Sequence, residues 1–215
     1  MFKPIIDAVV QVAEGVGNIV GIRLGTEEPA YTVERVVDGV EIRRYGARVA
    51  AETAIRADEE SARNQGFRVL ARYIFGANSG STKIAMTAPV AQQTSEKIAM
   101  TAPVATQRRP SGEWVIRFFM PSKYTLENLP TPDDDRVRLV DVPEEIVAVL
   151  RFTGSIAPGP VFDRTEQLLE VLYRNDIEPM GDALAWFYDP PWTLPCRRRN
   201  EVVVGLSEHP LGTAR

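Results

Sequence analysis

Apolar and polar positions alternate along much of this chain, and the alternation breaks at glycines and prolines. Tyr31 to Val37 and Val40 to Tyr45 flank Asp38-Gly39, whose residues accept the positive backbone angles of a two-residue turn, so a hairpin is predicted. A strand over Arg48 to Ile55 follows. Asp58 can cap the next helix, with Glu59 and Glu60 in a first turn where the dipole favours acids. Phe67, Leu70, Ala71 and Ile74 share one face at helical spacing, and Gly76, Asn78 and Gly80 end that helix. Further strands are predicted over Trp114–Phe119, Arg136–Val142, Ile146–Phe152, Leu184–Tyr188 and Glu201–Leu206. The connection over 122–135, with its three aspartates at 133 to 135, reads as irregular and solvated. A second helix is predicted from about Phe162 to Asn175. Asp163 and Glu166 are spaced as a capping box there, and Leu168, Val171 and Leu172 form the inner stripe. Strands, helix and strands occur twice in succession. Two similar halves sharing one curved antiparallel sheet follow, an α+β arrangement.

One stretch stands apart. The octapeptide Lys-Ile-Ala-Met-Thr-Ala-Pro-Val occurs at Lys83–Val90 and again at Lys97–Val104, with Ala91 to Glu96 between the copies. Each copy reads as a short strand ending at its proline, Pro89 or Pro103, because proline lacks the N–H a central strand needs. The polar run Gln92 to Glu96 reads as the loop between them. Met86 and Met100 carry flexible thioethers suited to lining an irregular apolar pocket.

Residues 1–26 form a separate, mildly apolar segment. Asp7, Gln11, Glu14 and Asn18 interrupt its apolar positions, so it falls short of the roughly 18 apolar residues of a membrane span. It also lacks the basic start and cleavage site of a secretory signal. An amphipathic helix broken near Gly15 and Gly17 is expected, packed on the domain or on a partner chain. Peripheral membrane contact through residues 2–24 is the weaker alternative, since the polar positions are acidic. Residues 27–206 are expected to form the domain, 207–215 a loose tail, and the cytoplasm is the expected location.

The net charge of -4 disfavours nucleic acid as a partner. The lone Cys196 rules out an intrachain disulfide and a multi-cysteine metal site. The one histidine, His209, lies near the C-terminus, which disfavours a histidine metal centre or a Ser-His-Asp triad. Phosphate-loop, GxSxG, HExxH and CxxC patterns are missing. The adjacent pairs Glu59/Glu60 and Glu144/Glu145 read as surface charges, and Arg198, Arg199, Asn200 and Glu201 read as ties of the final strand to the sheet through ion pairs and hydrogen bonds. The inventory points to binding rather than catalysis.

The repeated octapeptide, the run Trp114 to Lys123 and the run Tyr188 to Val203 together resemble the SOUL heme-binding protein family in its bacterial form. Glu27–Val33 and Glu41–Tyr45 fit as well, so the resemblance spans roughly residues 27 to 206. It implies a distorted, barrel-like antiparallel sheet of about eight strands with two long helices. It also implies heme or a related tetrapyrrole bound in an apolar groove beside a helix, as a carrier or buffer. Phe67, Leu70, Ile74, Met86 and Met100 are the candidates for the macrocycle. Arg63 or Arg72 are candidates for its carboxylates, where charge-assisted bonds are strong. Tyr73, Met86 and Met100 are candidate iron ligands, with Met120 and Met180 as alternatives and the Cys196 thiol a weaker one. Some relatives have been proposed to use an axial histidine; this chain has none within the domain, so capture without an iron bond is the other option.

A second reading rests on a likeness of layout to the ligand-binding domains of drug-responsive regulators and to related hydrolases. It needs a carboxylate beside an aromatic in the groove, for which Tyr73, Tyr188, Trp186 and Glu201 are the available groups. A third is an adaptor anchored by residues 2–24.

Overall fold

The computed structural model describes residues 27–85, 88, 90–94, 113–189 and 193–207. Among the described residues nine strands form one antiparallel sheet: β1 (Tyr31–Val37), β2 (Val40–Tyr45), β3 (Arg48–Arg56), β4 (Val90–Thr94), β5 (Glu113–Phe119), β6 (Arg138–Val142), β7 (Glu145–Phe152), β8 (Pro179–Phe187) and β9 (Asn200–Leu206). Helix α1 (Glu59–Ile74) falls between β3 and β4, and α2 (Pro158–Arg174) between β7 and β8. The strand order is β1-β2-β7-β9-β8-β4-β5-β3-β6, so the sheet is open at β1 and β6 rather than closed as a barrel.

The order reveals the two halves. Strand, helix, strand, strand gives β3-α1-β4-β5 and then β7-α2-β8-β9, and in each half the last strand lies between the other two. The halves join where β4 pairs with β8. Each half also receives the strand that precedes the other in the chain: β2 pairs with β7, and β6 with β3. This exchange welds the halves into one sheet.

Both helices cover the same face. Ala62, Val69, Leu70, Tyr73 and Ile74 of α1 pack on Ala51, Ile55, Ile116 and Phe118. Val161, Leu168, Val171 and Leu172 of α2 pack on Ile42, Ala148, Leu150, Val202 and Val204. The other face curls inward and buries a third cluster, in which Tyr45, Ala50, Phe119, Val149, Trp186 and Val203 meet from both wings. Asp58 caps α1 as its sequence predicts, accepting from the Ser61 N–H at 2.9 Å.

Three local expectations are corrected. Among the described residues of the first octapeptide only Val90 is in a strand; β4 begins there, after the proline, and runs to Thr94 through polar residues read as a loop. It is a central strand, and Gln92 is buried with its Nε2 donating to the Glu59 carbonyl at 3.0 Å. Tertiary pairing overrides weak strand propensity here. The second copy lies outside the described residues. Helix α2 starts a turn earlier than predicted, with prolines in its first turn and Ala157 at its N-cap, so Asp163 and Glu166 form no capping box. Strand β8 begins at Pro179 and absorbs Gly181, whose φ of 71° sits within a bulge between Met180 and Leu184.

Candidate functional site

Between the two helices, β4 and β8 run side by side on the outer face, and Arg63 of α1 spans this seam. Its guanidinium stacks 5.3 Å over the Phe187 ring, and Nη1 donates to the Ile156 carbonyl at 3.2 Å, just ahead of α2. Burial lowers the Arg63 pKa, while Glu59 and Glu60 pull the other way. No ion pair holds this guanidinium among the described residues. One turn along, Phe67 is half-buried with its ring edge-on to Phe118, at 5.4 Å between centroids. A half-buried cation that no carboxylate contacts among the described residues, beside aromatic rings, suits an anion carried on an apolar body.

The remaining candidates divide sharply. Leu70 is fully buried, and Tyr73 and Ile74 are each 1% exposed; all three hold α1 onto the sheet. The Tyr73 hydroxyl donates to the Pro130 carbonyl at 2.9 Å, and burial pushes its pKa up to about 12, so it is a poor source of phenolate for a metal. Met120 is buried in the same cluster, whereas Met180 and Cys196 are exposed. Arg72 lies exposed at the end of α1. Met86 and Met100 lie outside the described residues, as do His209 and the segment 1–26. The structure thus brings Arg63 and Phe67 together at an accessible surface, and it commits Leu70, Tyr73 and Ile74 to the core beneath them.

The inner face bears out the expected tie of the last strand through Arg199 and Glu201, and adds partners that sequence reasoning did not assemble. Glu201 is fully buried on β9 and accepts from five N–H or O–H groups. Arg43 reaches it through Nη1 at 3.0 Å and Nη2 at 3.2 Å. Arg199 adds Nε at 3.0 Å and Nη2 at 2.8 Å, and the Tyr188 hydroxyl adds a bond of 2.6 Å. Trp186 lies directly across the ladder from Glu201 and packs edge-on against Tyr45 and Phe119. Burial alone would raise the Glu201 pKa; the Arg43 guanidinium, with Tyr188 and Arg199, more than offsets this and holds it below the usual carboxylate range. Burial and the Glu201 charge drive the Tyr188 pKa far up. Arg199 also binds Glu28 at 2.9 Å, which ties the segment leading into β1 onto this network.

Alternation in Val40–Tyr45 places Glu41, Arg43 and Tyr45 on one face. Charges there read as solvent-facing, and only the curl of the sheet makes that face an interior. Elsewhere on it, Arg117 and Arg138 share Glu52 at 2.7 and 3.0 Å, and Arg48 is clamped between Tyr45 and Phe119 while pairing with Glu145. Glu145 is therefore more than a solvated surface charge. A separate open cleft of about 450 Å³ lies at the end of β7 against α2, lined by Leu150, Arg151, Phe152, Thr153, Arg164 and Gln167. No helix among the described residues is long and apolar enough to cross a membrane.

Comparison with known proteins gives one family and a set of similar folds. The profile of the family described as SOUL heme-binding protein matches residues 26–205. No curated protein matches the chain. Among solved structures, the C-terminal domain of EcmrR superposes with a TM-score of 0.56 at 9% identity, covering 82% of this chain and 98% of that one. A hydrolase from Listeria innocua superposes at 0.52 and 11% identity, covering 81% and 94%. An uncharacterized conserved protein from the same organism gives 0.54 and 11%, covering 86% and 94%. At these identities the likeness is one of fold.

Proposed function

The chain belongs to the SOUL heme-binding protein family, and from that premise we propose that it binds heme or a related tetrapyrrole as a carrier or buffer. Family membership across residues 26–205 carries the reading. The surface beside α1 supports it: a tetrapyrrole presents a flat apolar disc and carboxylates, and here a half-buried arginine with no ion pair among the described residues stands over Phe187, one turn from Phe67. Arg63 holds a carboxylate in this reading, and Phe67 meets the edge of the disc. Met86 and Met100, which lie outside the described residues, remain the candidates for the rest of the apolar wall. Leu70, Tyr73 and Ile74 back the site from the core rather than touch the ligand. No imidazole from the domain meets the iron, so burial of the disc and charge on its carboxylates supply the affinity.

Titration of the purified protein with hemin, followed at the Soret band, tests this. A saturable shift at micromolar hemin is expected. Arg63→Ala is expected to weaken binding roughly ten- to hundredfold, the value of one charge-assisted hydrogen bond. Absence of a saturable shift in the folded wild-type protein rules the reading out.

A second reading, an effector-binding or hydrolytic domain, draws on the likeness of fold to the EcmrR domain and the Listeria innocua hydrolase and on one observation: Glu201, Tyr188 and Trp186 do meet on the inner face. Its chemistry is weak in this chain. A carboxylate that captures a cation or takes a proton needs free lone pairs, and Glu201 is already engaged by two guanidiniums and a phenol.

A further inference from the structure

The repetition extends past the octapeptide. Lys83–Gln93 and Lys97–Gln107 agree at ten of eleven positions, and only Gln92 and Thr106 differ. Strand β4 starts within this stretch, so the residues that seat the first copy can be compared with their counterparts. Ile84 is buried under α1, and its N–H donates to the Ile74 carbonyl at 2.7 Å. Ala88 is buried on the inner face near Phe119 and Trp186, and its N–H donates to the Glu27 carbonyl at 3.0 Å. Val90, Ala91 and Gln92 pair on one side with Phe118, Arg117 and Ile116, and on the other with Phe187, Trp186 and Ala185. Ile98, Ala102, Val104 and Ala105 repeat every one of these residues except Gln92.

We propose that either copy can serve as β4, so that the central strand joining the two halves has two registers fourteen residues apart. Backbone pairing is blind to side chains, and the anchoring side chains are duplicated. Within β4 two positions differ, Gln92 against Thr106 and Thr94 against Arg108, and the first sets up a near balance. Gln92 gains its bond to the Glu59 carbonyl but leaves its own Oε1 buried without a partner. Thr106 forgoes both and is β-branched, which suits a strand.

The loops are balanced too. With the first copy in the sheet, 15 residues join α1 to β4 and 18 join β4 to β5. With the second copy the connections become about 29 and 4 residues, a logarithmic closure cost that favours the second register about three- to fourfold. The short connection would be Arg109-Pro110-Ser111-Gly112, whose proline and glycine suit a hairpin.

The exchange transfers fourteen residues from the β5 side of β4 to the α1 side. The two registers stand whether or not the chain binds a tetrapyrrole.

Proline blocks test them, because a central strand has no use for a residue without an N–H. Ala91→Pro with Gln93→Pro closes the first register; Ala105→Pro with Gln107→Pro closes the second. Each paired variant is expected to keep a cooperative thermal melt by circular dichroism, and the four-proline variant to lose it. Deuterium exchange is expected to show protection of 104–108 in the first variant and of 90–94 in the second. Loss of the melt in either paired variant overturns the proposal, because one register is then indispensable. A cooperative melt in the four-proline variant, or folding of a paired variant without protection of the surviving copy, overturns it equally.

Discussion

Replacing Glu201 by glutamine removes one charge from the middle of the inner-face network while keeping its volume. The carboxylate is fully buried, and the Arg43 side chain beside it is 2% exposed, so neither charge is screened by solvent. Breaking a buried ion pair from one side costs about 3–5 kcal/mol, because the remaining charge is left uncompensated. Two features pull the value toward the lower end. Arg43 keeps Glu41 at 2.7 Å, and Arg199 keeps Glu28 at 2.9 Å. Glu201→Gln is therefore expected to lose about 3 kcal/mol, which lowers the melting temperature by roughly 6–12 °C for a domain of this size. The assay is urea unfolding followed by tryptophan fluorescence, with Arg43→Met and the double variant completing a cycle. The double variant removes one orphaned cation, so a favourable coupling of at least about 1 kcal/mol is expected. A Glu201→Gln loss below about 1 kcal/mol, or additivity in the cycle, would refute the view that this carboxylate is the structural anion of the inner face. Hemin affinity of the folded variant is expected to stay unchanged, since the network lies on the face opposite α1.

Further outcomes follow from single contacts. The pKa of Glu201 is depressed in the folded state, so its stabilisation is present above the unfolded value near 4.3 and is lost as pH falls through the folded value. Acid unfolding of the wild type is expected to steepen below about pH 4, and Glu201→Gln to flatten that limb. Gly66→Ala would normally gain about 1 kcal/mol inside a helix. Here the added Cβ would lie 2.7 Å from the Ile116 side chain, so chemical denaturation is expected to show a loss of about 1–3 kcal/mol instead. Tyr73→Phe forfeits the bond to Pro130 and is expected to cost about 1 kcal/mol while leaving hemin affinity intact.

The helix faces and most strands were legible because period and punctuation agree with the fold. Phe67, Leu70 and Ile74 did mark the inward stripe of α1, and Asp38-Gly39 did mark a hairpin. What the pattern hid lies where burial is two-sided or tertiary. Arg43 sits in a strand whose second face reads as solvent, and the curl of the sheet turns it inward. Gln92 and its neighbours lack strand character, and β5 and β8 together impose it. The start of α2 was hidden because Pro158 and Pro160 punctuate a loop as readily as they open a helix. For the site, spacing found the right helix but could not separate Arg63 and Phe67, which reach the surface, from Leu70 and Ile74, which do not. Periodicity reports which face is apolar, and depth depends on what packs against it.

A chain that holds a tetrapyrrole by its disc and carboxylates, with no imidazole on the iron, should treat the ligand with and without its metal alike. The direct measurement is a paired titration of wild type and Arg63→Ala with hemin and with metal-free protoporphyrin. Saturable binding of both ligands is predicted, with affinities within about tenfold of each other and a comparable loss for both in Arg63→Ala. Tight binding of hemin alone, with a low-spin spectrum and no response to Arg63→Ala, would contradict it.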